Sequence, residues 1–316
     1  MSDSASNEQK PSQRVLKAVM GQEEALGPFS NLPGVWKNTG QFSGHGWNMI
    51  ALPFPTGELD YRLLNNQYNE TLTFQLVDKN VPNRGMNGDQ EVETIDYVQQ
   101  IEQIAAADFP DSGLAGGSGL AIHHEPGLWL YMKNHTTDDL NIARLSSIPH
   151  GDSLMALGQS AQSKTGFEIP KISGLPIGVN DNLEENPYLI PYLHFHKHLF
   201  ENVFDPTQPN DLLNKAILPF FQQGKVANVT QLKVDSRLAS GGVNNIPFVV
   251  RQANADQVEA TLWIYELTEK HPNGEPKMLL QYSQIVMLDF FERRDGQGLI
   301  KWPHVSINTL EKQPTS

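Results

Sequence analysis

Short runs in which apolar and polar residues alternate, each closed by turn chemistry, follow one another along most of this chain. They leave little room for helix. Glu70-Thr71-Leu72-Thr73-Phe74-Gln75-Leu76-Val77 has the period-two pattern of a strand, preceded by Leu63 to Tyr68. Asn83-Arg84-Gly85 and Asn87-Gly88-Asp89 are turn sequences, and Glu93 to Ile101 reads as the next strand. Leu120–His124 and Leu128–Met132 flank Glu125-Pro126-Gly127; Asn141–Ile148 and Ser153–Gln159 flank Pro149-His150-Gly151. Near the end, Thr230–Ala239, Glu259–Leu267, the long Met278–Phe290 and His304–Leu310 continue the pattern. About ten strands with short turns predict a mainly β, antiparallel barrel or sandwich.

Residues 160–225 break the rhythm with Pro170, Pro176, Pro187, Pro191, Pro206, Pro209 and Pro219. One amphipathic helix is expected from Pro209 to Gln222. This stretch reads as an insertion, lid or subdomain of one domain that spans 15–316. Residues 1–14 are a polar tail, and Val15 to Leu26 suits one short helix.

The formal charge of −13 and the lack of a basic stripe argue against nucleic acid and against an anionic membrane surface as partners. The densest basic stretch is His194-Phe195-His196-Lys197-His198. Its alternating histidines would share one face only in a strand, where they would suit a metal; otherwise they are solvated. There is no cysteine, which removes disulfides, iron–sulfur clusters and thiolate chemistry. No apolar run reaches the roughly 18 residues of a membrane helix. No apolar leader segment follows the polar start, so a cytoplasmic location is the default expectation. Oligomeric state is left open.

Several strands carry polar side chains on both parities: Gln281, Tyr282, Ser283 and Gln284 on one, Gln99 and Gln100 on another. Buried polar groups need partners. An internal cavity with a ligand or trapped water answers that need; a solvent-exposed face answers it equally.

Three motifs in order resemble one family. Leu32-Pro33-Gly34-Val35-Trp36 looks like the Gly-x-Trp opening of lipocalin-like barrels. His123-His124-Glu125-Pro126-Gly127-Leu128-Trp129 is similar to the His-x-Glu-x-Gly hairpin of the nitrobindin-like barrels. Trp302-Pro303-His304-Val305-Ser306-Ile307-Asn308-Thr309-Leu310 resembles their closing strand. The resemblance to this calycin family implies an enlarged lipocalin-like antiparallel barrel with a loop and helix insertion, and haem b held by a histidine. This chain is nearly twice the family's length, and residues 160–225 have no counterpart. Aligned on its Pro-His pair, the family's iron ligand falls on Ser306 rather than His304; the two share parity, so both can face inward.

His304 is the candidate metal ligand, because a neutral imidazole in an apolar barrel suits haem iron. A turn hydrogen bond at a strand edge is its plainer role. His45, between Gly44 and Gly46, and His150, between Pro149 and Gly151, are candidates for a catalytic distal base. A flexible surface loop and a rim turn are their plainer settings. Trp47 is a candidate stacking wall, and Arg144 a partner for a cofactor's anionic groups. Trp129 belongs to the same hairpin motif and is taken with the cofactor residues. His123 and His124 are adjacent on a strand, so one faces in and one out. The sequence supports haem binding with peroxidase-like, nitric oxide or oxygen chemistry, a metal-free carrier of a fatty acid or pigment, or an interaction module. Each would have a small-molecule or protein partner.

Overall fold

In the computed structural model, residues 26–55, 58–85, 88–133, 139–148 and 150–315 are described. The expected tail and nearly all of the expected helix at 15–26 lie outside them.

The strands are β1 (Gly34–Lys37), β2 (Gly46–Pro53), β3 (Tyr61–Gly85), β4 (Gly88–Phe109), β5 (Ala121–Met132), β6 (Ile142–Ile148), β7 (Asp152–Ser163), β8 (Val226–Asp235), β9 (Gly242–Asn245), β10 (Asn254–Lys270), β11 (Pro276–Glu292) and β12 (Leu299–Lys312). Neighbours pair antiparallel from β2 through β8 to β10, β11 and β12, and β12 returns to pair with β2. The sheet is therefore a closed barrel of ten strands. β1 is a short addition beside β3 and β12, and β9 pairs with β7.

The two runs expected at 63–68 and 70–77 form one continuous β3. Asn69 alone supplies no turn, and the register irregularity beside it is one extra residue, Ile104, on β4.

One end of the barrel is plugged. A 3-10 turn at Gly27–Phe29 sets Leu26, Phe29 and Leu32 into the core, with the Phe29 ring edge-on to Trp129 at 6.2 Å. Trp36 closes this end too, its indole N–H donating to the Leu32 carbonyl at 2.9 Å. The other end is the mouth, ringed by the connections β2–β3, β4–β5, β6–β7, β8–β10 and β11–β12.

Residues 164–225 are a strap across the outside of β2, β3, β11 and β12, and none of them lines the interior cavity. The strap includes α1 (Ile190–Lys197) and α2 (Asp211–Gln222). The Trp47 indole lies flat on Phe204 at 5.5 Å. Tyr61 donates to the Tyr188 carbonyl at 2.6 Å, Ser283 to Asn210 Oδ1 at 2.9 Å, and Gln281 to the Leu213 carbonyl at 2.9 Å. The strap explains why β10 and β11 are buried on both faces. An antiparallel strand with one wet face alternates; one covered on both sides does not. Gln281 and Ser283 are polar because the strap's backbone and side chains need partners, not because water reaches them.

Candidate functional site

Residues of one parity from β2, β3, β11 and β12 face a cavity below the mouth, joined by Gln99, Ile101, Gln103, Ile122 and His123 from β4 and β5. The cavity holds about 250 Å³, within about 900 Å³ of empty space that includes the open mouth. Strand register arranges the lining in levels. Leu52, Ile50 and Leu64 form an apolar upper wall, and His304 projects from β12 on the same side of the sheet. Below them Asn66, Asn48, Ser306 and Gln284 occupy consecutive ladder positions on β3, β2, β12 and β11. Deeper still, the hydroxyls of Tyr68 and Tyr282 lie 2.8 Å apart.

Two polar networks seal the floor. Glu70 is fully enclosed and accepts from Tyr282 at 2.6 Å, Asn308 at 2.8 Å and Gln99 at 2.9 Å. Burial raises its carboxyl above the usual range, and these three donors only partly offset that. In the second network Glu125 Oε1 accepts from Arg144 Nη2 at 2.7 Å and from Tyr97 at 2.5 Å. Burial works to raise the Glu125 carboxyl, but Arg144, His123 and Tyr97 outweigh it and hold it well below the usual range. Arg144 also donates to Tyr97 and, at 2.6 Å, to Gln284 Oε1. The anion beside this buried arginine is thus the protein's own. Under this network Trp129, Phe74 and Leu262 leave only about 30 Å³ of space.

Three histidines expected from the sequence meet at the cavity. His304 lies deep in the barrel yet keeps part of its ring surface open to the cavity. Desolvation first, then His123 and His150, push it down to about 3, so it is neutral at any ordinary pH. Among the described residues nothing hydrogen-bonds its ring. His150 stands at the mouth, open to water on one side; crowding on the other side and the nearness of His123 lower it. His123 has its ring 5.7 Å from that of His150 and its Nε2 3.2 Å from Glu125 Oε2.

The other expected residues lie elsewhere. His124 is exposed on the outer face of β5, as strand alternation requires. Trp47 points outward into the strap, because it has the opposite parity to Asn48 and Ile50. His45 sits at the plugged end, its ring against the edge of Phe42 at 5.3 Å. Trp129 and Arg144 face inward beneath the cavity. His194, His196 and His198 fall on and just after α1: His194 stacks on Phe109 and lies 5.3 Å from the His198 ring one turn on, while His196 points away and pairs with Asp205. Among the described residues, no three His, Cys, Asp or Glu side chains are grouped to hold a metal ion.

Sequence reasoning passed over Glu70, Tyr68, Tyr97 and the Asn66–Asn48–Ser306–Gln284 row as a site. Its available signal was parity: Glu70 shares the phase of Tyr68, Leu72 and Phe74, so a carboxylate stands on the apolar side of its strand. The Gly113–Gly119 connection is fastened at the rim: the Gln103 amide donates to the carbonyls of Ala115 and Gly117.

An iron porphyrin asks for one neutral imidazole aimed into an apolar space and for an opening that leaves its propionates in water. His304, the Ile50–Leu52–Leu64 wall and the open mouth fit that request.

No family model matches the chain, and no curated protein sequence matches it. Among solved structures it is similar to the crystal structure of Rv2717c from M. tuberculosis. The TM-score is 0.41 with 15% identity, over 92% of this chain and 98% of that one. A likeness at that level carries no weight for function. By its own geometry the barrel is closed and antiparallel, with room for a small ligand. Among the described residues no helix is long and apolar enough to cross a membrane.

Proposed function

We propose that this protein binds one small, largely apolar molecule in the cavity beneath the mouth, with the His304 imidazole as a polar contact. The observation that carries this reading is His304 itself. Its ring finds no protein partner among the described residues and faces the cavity, where a ligand can supply the hydrogen bond. The apolar upper wall supplies the rest of the affinity. In this reading the protein is a metal-free carrier, and the plug at the far end makes the mouth the route of entry.

The second reading is haem b, favoured by the neutrality of the same imidazole. His304 would hold the iron, and Ile50, Leu52 and Leu64 would form the wall against the porphyrin. Iron bound there would supply peroxidase-like, nitric oxide or oxygen chemistry.

Two measurements separate the readings. Haem titration followed by visible spectroscopy yields a Soret band that His304→Ala weakens or abolishes if iron sits on this ring; an unchanged spectrum in the variant removes haem from this site. Organic extraction of the freshly purified protein, followed by mass analysis, identifies a metal-free guest. Protein that takes up neither haem nor any apolar probe would refute ligand binding altogether.

A further inference from the structure

The row at the cavity floor is built of neutral groups, and its hydrogen bonding is incomplete in a directional way. Asn48 Nδ2 donates to Asn66 Oδ1 at 3.4 Å, which orients the Asn48 amide. The buried Asn48 Oδ1 is left with no partner among the described residues. Gln284 Oε1 is taken by Arg144 Nη1 at 2.6 Å. That contact turns the other half of the amide into a donor, and among the described residues Gln284 Nε2 donates to nothing. Ser306 stands between Asn48 and Gln284 in the ladder. The row therefore offers one unpaired acceptor, enclosed against water, and one free donor, on the two strands that flank β12.

No fixed charge lines this surface, and of its histidines His123 is held by the Glu125 carboxylate at 3.2 Å. Among the described residues no Lys, Arg, Asp or Glu lines the cavity. The nearest charges are closed on one another: Arg144 with Glu125, Arg62 with Asp108 at the rim, and Glu70 with its three donors. Under the floor one guanidinium stands against two carboxyl groups, so there is no surplus positive charge. A carboxylate lowered onto the row would be stripped of water with no counter-ion, which costs far more than burying a neutral polar group that finds partners.

We infer that the site selects a neutral amphiphile whose head both donates and accepts a hydrogen bond, a carboxamide or an alcohol, and discriminates against fatty-acid carboxylates. The head sits down on Asn48, Ser306 and Gln284, and the apolar body lies along Ile50, Leu52 and Leu64 towards the mouth. This inference rests on the cavity being the binding site.

The test is displacement of a neutral solvatochromic dye, Nile red, from the full-length protein at about pH 8, where free imidazoles are neutral. Octanamide, octanol and octanoate share one chain length and differ in the head. Octanamide and octanol are expected to displace the dye at roughly tenfold lower concentration than octanoate. Asn48→Leu is expected to narrow that gap at least about threefold while still binding dye, with its thermal midpoint as the check on folding. Octanoate matching octanamide overturns the head-group inference and leaves the cavity reading standing. A gap of the same size in Asn48→Leu overturns the assignment to this row. Dye that fails to bind, or binds undiminished to Ile50→Trp, overturns the cavity reading and the inference with it.

Discussion

His304 is an imidazole that the fold keeps from taking a proton. Its folded pKa is pushed down to about 3, against an ordinary value of 6.5. Between those two values the unfolded chain binds a proton that the folded chain does not. Stability therefore rises with pH across this window and is lost as pH falls through 6.5 towards 3. At pH 5 the loss from this one group is about 2 kcal/mol. His304→Gln is expected to flatten the fall in urea midpoint between pH 7 and pH 5; an equal fall in wild type and variant would show that this ring does not set it. Glu125 poses the opposite case, a charge the interior has to keep. Glu125→Gln leaves Arg144 buried without its carboxylate and is expected to cost about 3–5 kcal/mol in urea unfolding, with part recovered when Arg144→Met is added. No recovery in the double variant would mean that Arg144 is held by Tyr97 and Gln284 alone. Of these residues, His304 and Arg144 were legible in the sequence as groups out of place in an apolar strand. The partners of Arg144 were not, because Gln284 comes from a strand remote in sequence and alternation alone does not show that Glu125, on the preceding strand, faces the same side.

At the scale of elements, the strap decides what the outer wall of the barrel is. Gly174 shows how closely it lies: a Cβ there would stand 1.9 Å from the Pro206 carbonyl oxygen and 2.6 Å from Met49 Sδ, so only glycine permits the approach. Trp47 is the strap's main aromatic contact on β2. Trp47→Ala is expected to cost about 3–5 kcal/mol of stability. Dye affinity in the cavity should stay within about twofold, since the indole is on the other side of the sheet. A large affinity loss at full stability would instead put the indole at the ligand. On the inner side, Gly46 faces the Tyr68 ring, with room for no side chain: a Cβ would meet it at 2.3 Å. The helix read at 209–222 is present as α2 with nearly those bounds, because its amphipathic pattern is local. The histidine-rich segment was open between strand and helix in the sequence, and tertiary packing of the Phe195 and Tyr192 rings settled it as helix.

For the molecule as a whole, plug, closed sheet and strap leave the mouth as the entrance among the described residues. A ligand that binds only the folded barrel stabilises it by mass action, about 2.7 kcal/mol at a hundredfold excess over Kd. Octanamide is expected to raise the thermal midpoint of the wild type and to raise that of Ile50→Trp by much less; equal shifts would place the binding elsewhere.

Period-two alternation and turn residues are local properties, so the chain alone determined that it is a mainly antiparallel β protein with an inserted segment after β7. It also marked the three histidines that meet at the cavity. Which side of each strand is interior was beyond its reach. Strands such as β10 and β11 carry buried residues on both parities, and period two cannot tell a cavity wall from a face under a strap. That choice was made when β12 closed on β2 and residues 164–225 folded over the outside, which are contacts between segments far apart along the chain. The same closure sent Trp47 outward, brought His123, His150 and His304 together, and aligned four neutral side chains from four strands into one floor.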